Sequence, residues 1–90
     1  MDKHAEVVYR GNVQGVGFRY TARSLAEDFR ISGVVKNITD GSVQLVAEGE
    51  AAEVDRFLAA VDARMGDLVQ TREVRWLHPA GDLRGFAIRF

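Results

Sequence analysis

Apolar residues recur along this chain with two alternating periods, and that alternation constrains the fold more than any single motif. Ala5, Val7 and Tyr9 alternate with Glu6, Val8 and Arg10, the period of two expected of a strand. Phe18, Ala22, Leu25, Ala26 and Phe29 then recur at helical spacing, which predicts a helix ending near Ile31 with Gly33 as its stop. Val34–Ile38 reads as a second strand and Val43–Ala47 as a third. The Thr39-Asp40-Gly41-Ser42 stretch between them reads as a tight turn, because Asp-Gly supplies the positive φ a hairpin needs. A second helix is predicted with Glu50 and Glu53 in its first turn, where acidic charge suits the helix dipole. Its buried stripe is Val54, Phe57, Leu58, Val61 and Met65, and Gly66 ends it. Leu68–Leu77 is a long fourth strand with Val74 and Trp76 on one face, and His78–Asp82 is a turn. Phe86, Ile88 and Phe90 alternate in a short final strand.

This order, β-α-β-β-α-β plus an extra terminal strand, is that of an α+β ferredoxin-like sandwich. Two helices with one apolar stripe each cover one face of a mainly antiparallel sheet of four to five strands. The 90 residues make one domain, 1–90, with a modest core. No apolar run approaches the ~20 residues needed to cross a bilayer, so no membrane partner is expected. Met1-Asp2-Lys3-His4 leads straight into a strand pattern rather than a signal peptide. The chain has no cysteine, hence no disulfide framework and no thiolate nucleophile. These features predict a cytoplasmic protein, and a monomer is expected. The net charge of −1 lacks the basic surplus of a general nucleic-acid binder.

Between the first strand and the first helix lies Gly11-Asn12-Val13-Gln14-Gly15-Val16-Gly17-Phe18-Arg19. Glycines at these positions let the backbone curl through conformations closed to other residues and let a ligand approach its N–H groups. Such a loop forms an anion-binding nest, and the following helix adds its positive end. Arg19 contributes a planar, always-charged fork suited to phosphate oxygens. A turn that merely joined strand to helix would rarely need two glycines one residue apart and then an arginine. Taken alone, Asn37 reads as a polar residue at the entry to a turn.

The glycine segment, its place in the chain, and the later Gly33-Val34-Val35-Lys36-Asn37 followed by Asp40-Gly41 together resemble the acylphosphatase family. The resemblance spans essentially the whole chain in element order and length. It implies hydrolysis of the carboxyl–phosphate bond of acyl phosphates, with Arg19 as the phosphate-binding catalytic arginine and Asn37 as the residue that positions the attacking water. Val34 stands where the family commonly has an aromatic residue, and Lys36 where it commonly has arginine. Neither departure touches Arg19 or Asn37; both bear on substrate preference and local packing. Tyr20 follows the loop arginine, where related domains opening larger carbamoyl-transferring proteins usually carry proline. A free-standing enzyme is therefore the expectation.

The chemistry asks little more of the chain. An acyl phosphate is already activated, so the protein has chiefly to position it and balance charge. Backbone N–H groups of Gln14, Gly15, Val16, Gly17, Phe18 and Arg19 would converge on the phosphoryl oxygens. The Asn37 amide can donate to and accept from water without acting as a base, because the carboxylate leaving group is weakly basic. Ser24 has no obvious base beside it, and no histidine or acidic cluster has metal-ligand spacing, so turnover is expected to need neither metal nor cofactor. The expected partners are a small-molecule acyl phosphate and inorganic phosphate, the latter as product and competitive inhibitor. The alternative is a non-catalytic, small-molecule-binding regulatory module on the same fold. Arg84–Phe90 partly resembles the aromatic strand motif of RNA-recognition domains, but the third strand, where that motif belongs, has no aromatic residue, so no nucleic-acid partner is expected. His4 and His78 read as solvated strand-end and turn residues, Lys36 as a solvated strand residue, and Trp76 as a core or sheet-face filler.

Overall fold

The computed structural model describes residues 1–90. It contains β1 (Asp2–Gly11), α1 (Phe18–Ala26), β2 (Ile31–Asn37), β3 (Val43–Glu50), α2 (Ala51–Met65), a single 3₁₀ turn (Gly66–Leu68), β4 (Val69–Leu77) and β5 (Phe86–Arg89). The strands form one sheet in the order β4-β1-β3-β2-β5. Every neighbouring pair is antiparallel except β2 and β5, which run parallel with Val35 opposite Ile88. This is the ferredoxin-like sandwich, with the terminal strand added beside β2.

The period-two strands place alternate residues in the core. Ala5, Val7 and Tyr9 of β1, Val35 of β2, and Val43, Leu45 and Ala47 of β3 are all fully buried. The helices close over this face with Phe18, Ala22 and Ala26 from α1 and Val54, Phe57, Leu58, Val61 and Met65 from α2. Phe57 packs edge-on to Phe29 and to Phe86, with centroids 5.9 and 5.4 Å away, so one ring of α2 joins the turn after α1 to β5. Burying such a ring contributes about 1.5–3 kcal/mol.

Several boundaries differ from the expectations. Helix α1 ends at Ala26 rather than near Ile31. The amides of Glu27, Asp28 and Phe29 fold back on the carbonyls of Ser24, Leu25 and Ala26, a tightened turn that stops the helix. Arg30 N–H then donates to Glu53 Oε1 at 3.0 Å. β2 starts at once at Ile31, with the β-branched pair Val34 and Val35 in its middle. Gly33 is therefore no helix stop: it lies inside β2, opposite Ala47 and Phe86. A Cβ there would sit 2.0 Å from the Val46 carbonyl oxygen, so glycine marks a close backbone approach between strands. β3 runs on to Glu50, whose side chain accepts from Ala52 and Glu53 N–H and so caps α2 from outside the helix. Leu68 belongs to the 3₁₀ turn, and Phe90 lies beyond β5. Trp76 is 45% exposed on the edge strand, with the Lys3 ammonium over its ring, rather than a core filler.

His4 is not a solvated strand end. It stands opposite Glu48 on the face of the sheet away from the helices, and its Nδ1 lies 2.7 Å from Glu48 Oε2. The same carboxylate accepts from Ala80 and Gly81 N–H at 3.0 and 2.9 Å. The hydrogen bond from His4 is the main cause that holds the Glu48 carboxyl below its ordinary range, helped by the two backbone donors. The segment 78–85 connects opposite edges of the sheet, from β4 to β5, and Glu48 pins it on the way. The strap thus delivers β5 to the edge beside β2, next to the start of α1. No helix is long and apolar enough to cross a membrane.

Candidate active site

The glycine loop is shaped by anchors on both sides. β1 leaves the sheet at an irregularity between Arg10 and Gly11, and Asn12 N–H then donates to the Leu68 carbonyl at 2.9 Å. Val13 is buried in the core, and Phe18 packs on Tyr9 with ring centroids 4.9 Å apart. The Gln14 side chain donates to the carbonyls of Ile38 and Ser42 at 2.7 and 2.8 Å, tying the loop to the β2–β3 turn. Sequence reasoning gave Gln14 a backbone role only and missed this brace.

Between those anchors the backbone alternates in hand. Gly15 and Gly17 have φ of 75° and 79°, while no residue other than glycine has positive φ anywhere in the molecule. Gln14, Val16 and Phe18 therefore take the opposite sign, one on each side of the glycines. Alternation of this kind is the backbone pattern of an anion nest. A Cβ at Gly15 or Gly17 would touch nothing within 4 Å, so conformation rather than space demands glycine at both positions. Gly17 is also the N-cap of α1, where no side chain caps the helix and the first turn holds no acidic residue. The amides of that turn are left for an incoming anion, which the helix dipole also favours.

Val13, Gly15, Gly17, Phe18, Arg19, Tyr20 and Asn37 line a pocket of about 100 Å³. The structure thus brings together Arg19, from the first turn of α1, and Asn37, from the last position of β2. Asn37 shares the parity of buried Val35, so the pleat directs it to the helix-covered side of the sheet where the loop lies. Gln14 and Val16 do not line the pocket. Gln14 turns to the β2–β3 turn, and Val16 points its side chain toward solvent, 37% exposed.

Arg19 is the only charged side chain in the pocket lining. Its Nη1 donates to the Arg89 carbonyl at 3.0 Å, and the Phe90 ring covers the guanidinium with its centroid 4.6 Å away. The strand delivered by the Glu48-pinned strap therefore also steadies the arginine fork. Nothing in the local sequence around Arg19 signals a partner 70 positions away. A larger hollow of about 360 Å³ lies between Asp62, Gly66 and Arg72, but its arginine is already paired with Asp62. No three His, Asp or Glu side chains converge anywhere in the molecule to hold a metal ion.

Similarity to known proteins follows the same outline. The model of the family described as Acylphosphatase matches residues 5–88. The chain is 40% identical to an acylphosphatase of Roseiflexus sp. (strain RS-1), covering 93% of this chain and 91% of that one. It is 41% identical to an acylphosphatase of Anaeromyxobacter dehalogenans (strain 2CP-C), covering 96% and 94%. Among solved structures it superposes on the acylphosphatase from Bacillus subtilis with a TM-score of 0.86 at 32% identity, over 100% of both chains.

Proposed function

Since this chain belongs to the acylphosphatase family, we propose that it hydrolyses the carboxyl–phosphate bond of acyl phosphates, releasing a carboxylate and inorganic phosphate. The observation that carries this reading is the single small pocket in which an uncapped helix start, an alternating-hand glycine loop, one arginine without a carboxylate partner and one asparagine meet.

In this reading the phosphoryl group enters the loop. The N–H groups of Gly15 to Arg19 and the Arg19 fork take its oxygens, the guanidinium balancing charge as the bond to the carboxylate breaks. Asn37, from the end of β2, holds a water molecule against phosphorus; its amide takes no part in the bonds that brace the loop. The water oxygen bonds to phosphorus, the P–O bond to the acyl group breaks with its electron pair leaving on the carboxylate, and a phosphoryl oxygen accepts the water proton. Inorganic phosphate, with the same oxygens, is both product and competitive inhibitor. We propose further that the enzyme acts as a monomer in the cytoplasm.

The test is loss of a simple aromatic acyl phosphate with and without a chelator. Rapid loss that chelator leaves unchanged is expected. Loss no faster than the spontaneous rate, together with retained phosphate binding, would instead favour a binding module.

A further inference from the structure

The pocket is large enough for the phosphoryl head and too small to enclose a bulky acyl group with it. Its volume is about 100 Å³, well below the ~300 Å³ at which pockets begin to engulf whole drug-sized ligands. The acyl group must therefore lie outside, against whatever forms the mouth. Six large apolar side chains are exposed in this molecule, and two of them, Tyr20 and Phe90, lie at that mouth. Tyr20 itself lines the pocket, and Phe90 lies on Arg19.

These side chains gain little by being where they are. Tyr20 is 54% exposed, and the partner over its ring is the Arg23 guanidinium, 5.4 Å from the ring centroid. Phe90 is 91% exposed, with only the Arg19 guanidinium over it. A guanidinium covers one face of each ring and leaves apolar surface free beside the pocket.

Resting on the acyl phosphate reading above, we infer that Tyr20, with Phe90 on the neighbouring Arg19, forms a subsite for the acyl group and makes the enzyme select aromatic and other large apolar acyl phosphates over small ones. The phosphoryl head is held identically in all of them, so discrimination falls on this rim. An aromatic acyl group covers the open face of Tyr20 and gains area and ring–ring contact that an acetyl group lacks.

The test compares kcat/KM for benzoyl phosphate and acetyl phosphate in the wild-type chain, Tyr20→Ala and Tyr20→Phe. Taking the ratio within each protein cancels the intrinsic reactivity of the two substrates between variants. The ratio is expected to fall about tenfold in Tyr20→Ala, mainly through KM for benzoyl phosphate, and to be kept in Tyr20→Phe. A purely structural role would move both substrates together and leave the ratio fixed. A wild-type chain that hydrolyses both substrates, with a ratio that Tyr20→Ala does not change, overturns this inference alone. A wild-type chain that hydrolyses neither overturns the acyl phosphate reading and the subsite with it.

Discussion

Replacement of Arg19 tests the electrostatic core of the proposed mechanism. Its guanidinium is fixed before substrate arrives: Nη1 is held by the Arg89 carbonyl at 3.0 Å and the Phe90 ring covers it. The remaining N–H groups are thereby presented to the pocket as a preset fork. Two charge-assisted bonds to a phosphoryl group, each worth about 1.5–3 kcal/mol, make about 3–6 kcal/mol of transition-state stabilisation. Arg19→Ala should therefore lower kcat/KM by roughly 10²–10⁴-fold. Arg19→Lys keeps the charge but cannot hold the Arg89 carbonyl and present a fork together, so a loss of roughly 10²-fold is expected. The half-buried side chain makes a single bond to the protein framework, so unfolding free energy should drop by no more than about 1.5 kcal/mol in either variant. The assay is hydrolysis of an acyl phosphate at several substrate concentrations, with inorganic phosphate as inhibitor and thermal unfolding run in parallel. A folded Arg19→Ala chain that keeps kcat/KM within tenfold of wild type would refute the reasoning.

Three further predictions rest on other parts of the structure. Asn37→Ala should lose turnover by roughly 10²-fold or more while inorganic phosphate still inhibits with a near-normal constant, because the residue faces the water and not the anion; near-normal rates would remove it from the mechanism. Gly33→Ala should destabilise the sheet by more than about 2 kcal/mol, lowering Tm by roughly 10 °C or more, since the added Cβ would lie 2.0 Å from the Val46 carbonyl oxygen; an unchanged Tm in calorimetry would show that the strands part easily. The Glu48 carboxyl titrates below its ordinary value of 4.5 in the folded protein, so it adds stability that is complete above that value and is lost as pH falls through the lower folded value. Urea unfolding should accordingly show stability declining below about pH 4.5, and Glu48→Gln should flatten that decline at the cost of about 1–3 kcal/mol at neutral pH.

The legible parts of the sequence were those where one physical requirement admits few residues. Positive φ at two positions one residue apart leaves only glycine, so Gly15 and Gly17 announced the loop. The helix stripes were equally readable, because Val54, Phe57, Leu58, Val61 and Met65 have no other reason to recur as they do. Gly33 was misread because a lone glycine signals either a helix end or a close strand approach, and the choice depends on Val46, far along the chain. The brace from Gln14, the Arg19 tie to Arg89 and the Glu48 clasp on the strap all join residues at least 24 positions apart. The Arg19 tie and the Glu48 clasp follow from the strap that carries β5 to its parallel place beside β2, and the Gln14 brace from the seating of the β2–β3 turn against the loop; no local period encodes either. His4 looked like a surface polar residue because the sheet face it shares with Glu48 becomes covered only when the 78–85 strap crosses it.

The most direct measurement is titration of the isotope-labelled protein with inorganic phosphate, following each backbone amide by NMR. The account predicts saturable downfield shifts concentrated at Gly15, Gly17, Phe18 and Arg19, as the nest and the uncapped helix start take up the anion. Saturable shifts centred instead on the hollow between Asp62 and Arg72, or no loop shifts at millimolar phosphate, would contradict it.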